Sequence, residues 1–536
     1  MKKIISVILL VSIVLSLCFC VSAKTSDVIM LQSKTITIKN YLDNSGSEAG
    51  ANSSPTYKIF DENTIDRLKA LLISAAENAE TDISLNNISV PIIGVTSANG
   101  NGYYDYNADR SKLIINNSKK GDCDIVIDPN DISNVFRELY YGNEFFFNFN
   151  NFAYSYSLPY EISANLENET TTIPNLVVNY KMSKEEYDVA KSFCIKEMDN
   201  IIRKMDDSFS RVDKLLFIHD YFVQNFSYQF DDTDATMYRF FKYGGGVCQA
   251  YTLAYKGILN RLGIENTVAI SDVGNHIWNV AKLEDGSYYH IDCTQDDPLF
   301  EAKYDLPGFV SHALFLLSDE KMLEQGGSHI NWYTIPYYQS TVTCNNTRFD
   351  NAEWRNTIGA FSLVGDKWYA ITPTLPTDVY SFSKGTLENE TLENKYNSGY
   401  LSDYYSPRGV VQIGNLIYFS DAFEVVCYDV LTDKFTTVIN TGNKQLYGCF
   451  YAGQGQLGYY FGDYFQQSMP TSTFDLNVGD INRDGSISAE DLTCMVSIIL
   501  EEENKAYNHF FADLNFDEGV SIIDLVKLKR VLANQN

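Results

Sequence analysis

The stretch GGGVCQAYTLAYKGILNRLGI, residues 244–264, places a cysteine between a glycine turn and a helical pattern. Gly244, Gly245 and Gly246 can take positive φ angles and so permit a sharp turn. The apolar spacing that follows predicts an amphipathic helix with Cys248 in its first turn. Unpaired N–H groups and the helix dipole favour an anion there, which makes this thiol a candidate nucleophile and its backbone N–H a candidate oxyanion donor.

A nucleophilic thiol needs a base, and the base needs a group that orients it. Two alternating stretches joined by Asp-Gly at 285–286 predict a β-hairpin that runs from His276 to Asp292. With the turn centred on Glu284, the two side chains share a face and lie directly opposite each other. Asp292 would then bind one imidazole nitrogen while the other nitrogen meets Cys248. The residues thus predict a Cys–His–Asp acyl-transfer site.

Each of these residues has a structural alternative. Cys248 could be a small core side chain, His276 a hydrogen-bonded strand residue and Asp292 a turn cap. Their combination with the glycine turn, the helix start and the hairpin favours a catalytic role. His219 and His290 have no place in the pattern and are interpreted as structural.

The C-terminal segment carries two copies of a spacing typical of calcium-binding loops. In GDINRDGSISAEDL, glycine stands at loop position 6, and the oxygen ligands are Asp480, Asn482, Asp484, the backbone oxygen of Ser486, and Asp491. Thirty-three residues later, Glu518 replaces the glycine and the ligands are Asp513, Asn515, Asp517 and Asp524. We therefore expect two Ca²⁺ ions, with a less regular second loop. The alternative is an acidic solvated tail.

The elements around this chemistry are mixed. Residues 24–200 combine helix and strand patterns and contain no chemical motif, with helices predicted at 62–80 and 183–205 and strands at 113–116 and 123–127. Ser183 is the expected cap of the second helix. The role of this region stays open.

Residues 341–470 are β-rich. VGDKWYAI at 364–371 and IGNLIYFS at 413–420 repeat 49 residues apart, each is followed by a second strand, and a weaker copy begins at Gln456. Such spacing is typical of propeller blades. Two or three copies are too few to close a ring, so the topology stays open.

The length, net charge and cysteine spacing of the chain exclude some classes of protein. The chain has 536 residues, which allows several domains, and a formal net charge of −28. That charge argues against a nucleic-acid partner, which requires a basic face. Eight cysteines outside the first 23 residues are scattered without a CxxC pair, so no disulfide framework is predicted.

The first residues of the chain predict where the protein is targeted. Two lysines, an apolar run over 4–20 and small residues up to Ala23 are typical of a secretory signal peptide at 1–23. A lipoprotein anchor on Cys18 or Cys20 is the alternative, but large residues precede both cysteines. No later apolar run is long enough to span a bilayer.

Three separated motifs resemble the bacterial transglutaminase-like superfamily: GVC at 246–248, HIWN at 276–279 and DCTQDDP at 292–298. Similar flanks extend the resemblance over about 200–340. It implies a papain-like α+β fold, with the cysteine on a helix and the histidine and aspartate on strands. Gln295 departs from the family, which often has Trp there, and this bears on the wall of the acyl pocket.

The resemblance implies covalent acyl transfer without a cofactor. Cys248 would attack a carboxamide or peptide carbonyl, and His276 would move the proton with Asp292 fixing its tautomer. Tyr228 is a candidate second oxyanion donor, with aromatic packing as the alternative. An amine acceptor would give crosslinks and water would give deamidation or peptide hydrolysis, and both stay open.

The two calcium loops, with Asp at position 12, resemble a type I dockerin over about 476–536. The resemblance implies calcium-dependent docking to a cohesin module on a scaffold protein, as in cellulosomes that degrade plant cell walls. Loop positions 10 and 11, which choose the partner in this family, hold Ala489, Glu490, Ile522 and Ile523. Because the copies differ, the two docking orientations need not be equivalent.

These observations predict a secreted, extracellular, multidomain α+β protein held on a scaffold. Its expected domains are a signal peptide at 1–23, an N-terminal domain at 24–200, a catalytic domain at 201–340, a β-rich region at 341–470, a linker at 471–475 and a dockerin at 476–536. The main alternative is a non-catalytic structural or adhesion subunit. A glycan-active subunit ranks last, because no pair of carboxylates with a glycosidase context stands out.

Overall fold

A computed structural model describes most of the chain from residue 60 onward. The described residues are 33–38, 60–97, 105–106, 110–114, 123–128, 130–157, 161–229, 234–297, 299–300, 304–305, 308–357, 359–372, 377–396, 408–421, 423–442, 444–461, 471–501 and 507–535. The predicted signal peptide, with Cys18 and Cys20, lies outside them. None of the described helices is long and apolar enough to cross a membrane.

The N-terminal unit is a five-stranded antiparallel sheet in the order β1-β6-β8-β2-β5, accompanied by two helices and a small sheet β3-β4-β7. Its elements are β1 Ser33–Ile38, α1 Glu62–Asn78, β2 Asp82–Ser97, β3 Asp105–Tyr106, β4 Lys112–Ile114, β5 Cys123–Ile127, α2 Asn130–Gly142, β6 Phe149–Ser157, β7 Glu161–Ser163 and β8 Thr170–Tyr180, with a 3₁₀ turn at Phe146–Asn148. The helix predicted at 62–80 and the strand predicted at 123–127 form here, and the strand predicted at 113–116 forms at 113–114, its last two residues lying outside the described ones. Asp61 caps α1 by accepting a hydrogen bond from the Thr64 N–H at 2.8 Å.

The central unit packs helices against one face of a five-stranded antiparallel sheet in the order β16-β13-β12-β11-β17. Its elements are α3 Lys184–Ile202, α4 Arg211–Asn225, β9 Ser227–Tyr228, α5 Met237–Tyr243, β10 Gly245–Gly246, α6 Cys248–Arg261, β11 Asn266–Ser271, β12 His276–Lys282, β13 Tyr288–Ile291, α7 Cys293–Asp296, β14 Leu299–Phe300, β15 Tyr304–Asp305, β16 Phe315–Leu317, α8 Asp319–Gln325 and β17 Tyr333–Thr334. Ser183 caps α3 in a reciprocal capping box with Glu186, as predicted for the cap.

Helix α6 is buried on all sides from Gln249 to Leu259, so the prediction of an amphipathic helix is wrong. The sheet covers one side, and α3, α4 and α5 cover the other. The polar groups inside are paired: the Thr252 hydroxyl donates to the Ile277 carbonyl at 3.0 Å, and the Asn279 amide donates to the Thr252 carbonyl at 3.0 Å. Full burial holds the first turn of α6 against the sheet.

The turn before α6 depends on glycine. Gly244 and Gly245 have φ angles of +76° and +150°. Strand β10 pairs with β9 in parallel, and a Cβ on Gly245 would lie 1.9 Å from the Ser227 carbonyl oxygen. Only glycine permits this close approach, which brings β9 beside the start of α6.

The β-rich unit consists of three antiparallel meanders that follow one another in the chain. The first is β18 Ser362–Val364, β19 Lys367–Thr372, β20 Thr377–Ser383 and β21 Asn389–Tyr396; the second is β22 Arg408–Ile413, β23 Leu416–Asp421, β24 Glu424–Asp429 and β25 Lys434–Asn440; the third is β26 Leu446–Gly453, β27 Gln456–Phe461 and β28 Thr471–Asp475. A short 3₁₀ turn, Glu353–Asn356, precedes them. Shared apolar clusters join each meander to the next.

The 49-residue repeat corresponds to the first turn of successive meanders, where Gly365 and Gly414 have φ angles of +63° and +61°. Residues 471–475, predicted as a linker, instead form β28. This strand pairs with β27 from Tyr460–Thr471 to Gln456–Asp475. The C-terminal unit therefore follows the sheet directly.

The C-terminal unit contains α9 Ala489–Ile499, α10 His509–Ala512 and α11 Ile522–Gln535. Its small core is formed by one apolar face from each loop and helix, with Ile481, Cys494, Met495, Ala512 and Leu528 buried. Helices α9 and α11 contact each other, while α10 lies between the two repeats in the chain.

Replacing Gly245 by alanine is expected to destabilise the protein by about 3 kcal/mol or more, because the new Cβ meets the Ser227 carbonyl as well as an unfavourable φ. Gly244→Ala is the matched control. Its Cβ would meet nothing within 4 Å, so only backbone strain of about 1–2 kcal/mol is expected. Urea unfolding of the two variants measures the difference, and equal losses would contradict the steric explanation.

Candidate active site

Cys248 is the first residue of α6. Val247 occupies the N-cap position without a side-chain cap, and its carbonyl accepts from the Ala250 N–H at 2.9 Å. The first turn contains no acidic side chain, so no carboxylate competes for the positive end of the helix dipole. Among the described free thiols, Cys248 alone is not buried.

His276, the first residue of β12, lies between the thiol and a carboxylate. Its Nε2 is 2.6 Å from Asp292 Oδ2, and the ring lies near enough to the Cys248 side chain for that thiol to influence its pKa. Since Nε2 is engaged, Nδ1 is left for the thiol. Trp278 stacks on the ring with centroids 5.6 Å apart. Burial opposes the charged ring, but the charges and hydrogen bonds of Asp292 and Cys248 outweigh it and raise the pKa of His276 to about 10.

Asp292 follows β13 and caps α7. Its Oδ1 accepts from the backbone N–H groups of Thr294 and Gln295 at 3.0 and 3.3 Å. Its Oδ2 accepts from two imidazoles, those of His276 and His329. The residue is only 1% exposed, and burial disfavours its charge. The two histidines nevertheless hold its pKa well below the usual range.

Strand pairing between β12 and β13 corrects one prediction. The register pairs Asn279 with Ile291, so its continuation would place residue 294, rather than Asp292, opposite His276. The prediction of direct opposition is therefore wrong by two residues. A shift of two keeps both side chains on the same face, because side chains alternate with a period of two. The carboxylate consequently reaches the ring diagonally.

The hairpin turn explains this shift. Its three-residue loop, 284–286, is closed by a hydrogen bond from the Leu283 N–H to the Ser287 carbonyl at 3.0 Å. Gly286 has a φ of +84°, as the left-handed position of a three-residue hairpin requires. The centre of the turn therefore falls on Asp285, one residue later than predicted.

His329 was missed by the sequence reasoning. Its Nε2 is 2.8 Å from Asp292 Oδ2, and its ring stands nearly perpendicular to that of His276, with centroids 5.3 Å apart. The glycine pair at 326–327 turns the chain before it, with φ angles of +64° and +60°. A histidine two residues after this glycine pair was the available signal, but nothing local links it to a carboxylate 37 residues earlier.

Two close approaches hold the His329 loop. A Cβ on Gly274, two residues before His276, would lie 2.1 Å from the Ser328 carbonyl oxygen. The Gln295 side-chain amide donates to the Ser328 hydroxyl. Gln295 thus contacts the loop that carries His329.

Tyr228 lies in β9, whose residues pair with Gly245 and Gly246 just before the thiol. The ring is half-buried, and burial, followed by the charges of Cys248 and Asp292, raises the pKa of its phenol. The structure therefore brings Tyr228 close to the candidate site. A neutral phenol can donate a hydrogen bond.

His219 and His290, interpreted as structural from the sequence, are both buried and paired. His219 lies between Asp220 and Asp296 at 2.9 and 3.2 Å. Burial disfavours its charge, but these carboxylates raise the pKa of His219 to about 9. The hydrogen bond between His219 and Asp296 connects α4 to α7, the short helix that Asp292 caps.

Three further hydrogen bonds of buried histidines complete these networks. His312 Nε2 lies 2.8 Å from Asp220 Oδ1. His290 accepts from Trp278 Nε1 at 2.9 Å and donates to Asp319 at 2.8 Å, while burial lowers its pKa. Among the described residues, three histidine-containing clusters have ligand atoms within 4.8 Å of one another and so could hold a metal: His276 with Asp292 and His329; His219 with Asp220 and His312; and His290 with Asp319 and Cys344.

The first predicted calcium loop is wound around its carboxylates. Asp480 accepts from the N–H groups of Asp484 and Gly485 at 3.1 and 2.9 Å. Asp491 accepts from the Ile481 N–H at 2.7 Å, which ties loop position 12 back to the start. The side chains of Asn482 and Asp484 are hydrogen-bonded to each other, and the Ser486 N–H binds Asp484.

The second loop repeats this arrangement. Asp513 accepts from the N–H groups of Asp517 and Glu518, and Asp524 accepts from the Asn515 N–H at 3.1 Å. Carboxylate oxygens of Asp513, Asp517 and Asp524 lie within 4.8 Å of one another. Hard oxygen donors grouped in this way fit Ca²⁺. Among the described residues this grouping occurs in the second loop and not in the first, although Glu518 has a φ of +69° where Gly485 has +93°.

The four candidate partner-contact residues are all exposed at the starts of their helices: Ala489 and Glu490 on α9, Ile522 and Ile523 on α11. Ile522 and Ile523 are 68% and 58% exposed, which is unusual for large apolar side chains. The structure therefore presents a more apolar surface from the second repeat than from the first.

Comparisons with known proteins agree with the geometry in two segments. Residues 198–293 match the transglutaminase-like superfamily, and residues 478–533 match the dockerin type I domain. The chain contains a transglutaminase-like core and a C-terminal dockerin. The core has the papain-like arrangement, and its matched span includes Cys248, His276 and Asp292 but ends before His329.

No curated protein matched the chain. A candidate cysteine protease from Cytophaga hutchinsonii, solved to 1.9 Å, is 11% identical over 40% of this chain and 67% of its own, with a TM-score of 0.17. A likeness at that level carries no argument about the site. Type I dockerins typically bind calcium and imply a cohesin partner.

The raised pKa values of His219 and His276 predict alkaline destabilisation. In the unfolded chain, histidine has a pKa of about 6.5. The stability from these two groups is therefore complete below that pH and is lost as pH rises through about 9 and about 10. Urea unfolding between pH 6.5 and 9.5 should show a falling free energy of unfolding.

The matched variants are His219→Gln and His290→Gln. His219→Gln should flatten the fall, because it removes a group whose pKa is raised. His290→Gln should leave the alkaline slope unchanged, because the pKa of His290 is lowered. Equal slopes for the wild type and His219→Gln would contradict the assignment.

Glu518→Gly should strengthen the second calcium loop, because glycine takes the left-handed backbone without the strain of a Cβ, worth about 1 kcal/mol. Glu518→Ala is the control, because it keeps the strain and removes the same ion pair with Lys204. Calorimetric calcium titration should rank glycine above alanine by about fivefold in affinity. No difference between them would overturn the strain argument.

Proposed function

We propose that this protein is a secreted cysteine enzyme that transfers acyl groups from protein or peptide amides through a thioester on Cys248. A dockerin together with a transglutaminase-like core is the composition of a cellulosome-type component. The observation that carries the proposal is the buried His276 ring, which is hydrogen-bonded to Asp292 at 2.6 Å and lies near enough to Cys248 for the thiol to influence its pKa.

The first step is activation of the thiol. With its pKa raised to about 10, His276 already carries the proton from Cys248 before substrate binds, and this imidazolium is stabilised by the ionised Asp292. Asp292 holds the ring by Nε2, so the tautomer and orientation are fixed before substrate arrives. The backbone N–H donors at the start of α7 and the second imidazole keep the carboxylate ionised despite its burial.

The thiolate then attacks the carbonyl carbon, and the carbonyl electron pair moves onto oxygen. The Cys248 N–H at the helix start donates to this oxyanion, and Tyr228 is our candidate for the second donor. When the C–N bond breaks, His276 gives its proton to the leaving amine. A thioester on Cys248 remains, and no metal or organic cofactor is needed for this balance.

An acceptor then attacks the thioester. His276 takes the acceptor proton, the C–S bond breaks and the thiol is restored. A primary amine yields a crosslink or amine adduct, whereas water yields a deamidated side chain or a cleaved peptide. The chemistry of the residues is the same for both acceptors, so the substrate pocket and the access of water select the outcome.

His329 acts as a positioning residue in this scheme. It donates to the same Asp292 oxygen as His276 and stacks edge-on against Trp278, with centroids 4.9 Å apart. Removing the carboxylate's second donor would leave Oδ2 bound to His276 alone. His329 therefore stabilises the anion without contacting the reacting atoms.

The dockerin would attach the enzyme to a scaffold protein. Two Ca²⁺ ions, held by the carboxylate and amide oxygens of the two loops, would fold the repeats. The exposed starts of α9 and α11 would bind a cohesin module of a scaffold protein, within an extracellular assembly that degrades plant polysaccharide. The net charge of −28 is compatible with such an exported protein and with the absence of a nucleic-acid role.

A second candidate function is a non-catalytic structural or adhesion subunit that has kept the fold. The extensive β-rich unit is the feature that favours it, because none of its described residues belongs to the thiol site described above. Inertness of Cys248 toward alkylating agents would support this reading. A glycan-active role remains last among the candidates.

Asp292→Asn should lower the acyl-transfer rate by about 10³ to 10⁴, because it removes the charge that stabilises the His276 imidazolium and disturbs the tautomer. Asp319→Asn is the matched control. It also removes a carboxylate bonded to a buried histidine, but that histidine is His290. Its rate should stay within about tenfold of wild type. Alkylation of Cys248 by iodoacetamide gives a readout that needs no substrate.

Mass spectrometry separates the reaction types. The mature protein and its Cys248→Ala variant are incubated with calcium, a mixed protein substrate and a labelled primary amine. Amine incorporation that requires Cys248 identifies a transferase, and new peptide termini that require Cys248 identify a peptidase. Unchanged substrates, together with a Cys248 thiol that resists alkylation, would overturn the enzyme proposal.

A further inference from the structure

The dockerin packs tightly against the rest of the chain. Strand β28 ends at Asp475, and the Leu476 N–H donates to the Gly455 carbonyl of the third meander at 2.8 Å. The first calcium ligand follows at Asp480. Only a few residues separate sheet from loop, so the two units meet directly.

Helix α10, between the two repeats, is anchored in the β-rich unit. Phe511 is 4% exposed and belongs to the same apolar cluster as Val411 and Leu457. The buried Asn508 side chain, which caps α10, donates to the Ile413 carbonyl at 2.7 Å. Burying an aromatic ring and satisfying a buried carbonyl are features of a packed interface rather than of a chance contact.

Both calcium loops contribute their position 4 to this interface. Arg483 of the first loop donates to Asp429 at 3.2 Å, and its guanidinium lies over the Phe511 ring. Phe516 of the second loop packs against Gly455, where a Cβ would lie 3.2 Å from the ring. Lys204 adds an exposed ion pair to Glu518. The two loops thus contact the third meander, the second meander and the end of α3.

The backbone at both positions is left-handed, with φ of +60° at Arg483 and +59° at Phe516. This conformation is unfavourable for both residue types. Each of these residues is at loop position 4, between the calcium ligands at positions 3 and 5. A bound cation would neutralise the mutual repulsion of the carboxylates and hold the winding that aims position 4 at the body.

We propose that the dockerin is clamped to the β-rich unit through α10 and position 4 of both calcium loops, so that calcium binding and the packing of this joint stabilise each other. The proposal requires calcium in the loops but is independent of the thiol chemistry. By thermodynamic reciprocity, a joint that favours the loaded loops must itself be favoured by calcium. The exposed starts of α9 and α11 stay available to a scaffold partner, which would then hold the whole enzyme in a fixed orientation.

The clamp also shapes a cleft. A cavity of about 640 Å³ lies between the central unit and the meanders, and its lining includes Tyr221, Gln412, Tyr451 and Phe510. Tyr451 and Phe510 meet edge-on with centroids 5.8 Å apart and form one end of it. Because Phe510 belongs to α10, loss of the clamp would open this end.

The repeated turns of the β-rich unit supply a matched pair of variants. Gly414 and Gly365 begin equivalent turns with nearly equal φ angles. A Cβ on Gly414 would lie 2.4 Å from the Asn508 side chain, whereas a Cβ on Gly365 would meet nothing within 4 Å. Gly414→Ala therefore disturbs the joint, and Gly365→Ala reproduces only the backbone strain.

Hydrogen exchange of full-length protein, followed by mass spectrometry across a series of buffered free calcium concentrations, tests the proposal. In the wild type, calcium should slow exchange in residues 478–535 and also in the turn around Gly414 and in β26 and β27. Gly414→Ala should lose this shared protection and shift the calcium midpoint upward by about fivefold or more. Gly365→Ala should keep the wild-type midpoint.

Protection by calcium that stops at residue 478, or equal midpoints for the two alanine variants, would overturn the clamp. If Gly414→Ala fails to fold, Phe516→Ala replaces it, because it removes the contact with Gly455 and keeps the ligands. Alkylation of Cys248 is measured on the same samples. An inert thiol with calcium-dependent protection of the meanders would reject the enzyme proposal and keep the clamp.

Discussion

The buried Asp292 carboxylate is the interaction on which the transglutaminase-like core depends. A charge at 1% exposure is stable only when every lone pair is matched, and here two backbone N–H groups and two imidazoles supply the match. Those donors come from α7, β12 and the loop after α8. The anion therefore fixes the relative positions of three elements as well as orienting His276.

The packing around α6 supplies the other constraint. Because the helix is buried on all sides, its first residue cannot move relative to β12 without opening the core. The glycine turn at 244–245 brings β9 and Tyr228 against the same helix start. Cys248, His276 and Tyr228 thereby lie at one edge of the core, where Cys248 and Tyr228 are partly exposed and His276 is buried. The networks of His219 and His290 extend this rigidity to α4 and α8.

In the C-terminal unit, too, buried or half-buried carboxylates set the local backbone geometry, here more than apolar packing does. Asp480 and Asp513 organise their loops through backbone N–H donors, and this winding directs Arg483 and Phe516 toward the β-rich unit. The predicted linker at 471–475 is a strand because β27 offers it a partner edge. A composition-based boundary fails there, because an unpaired sheet edge is satisfied by whichever neighbouring segment can reach it.

The sequence alone determined the features that depend on neighbours in the chain. The glycine turn, the start of α6, the N-cap of α3, the hairpin with its shared face and the ligand spacing of both calcium loops follow from local φ preferences and fixed periods. Tertiary structure decided the rest. The hairpin centre moved because the loop adopted a three-residue form, α6 lost its polar face because helices covered it, and His329 reached Asp292 from 37 residues away. Such contacts form only when the chain closes on itself, because burying a charge recruits whichever donors the fold brings near.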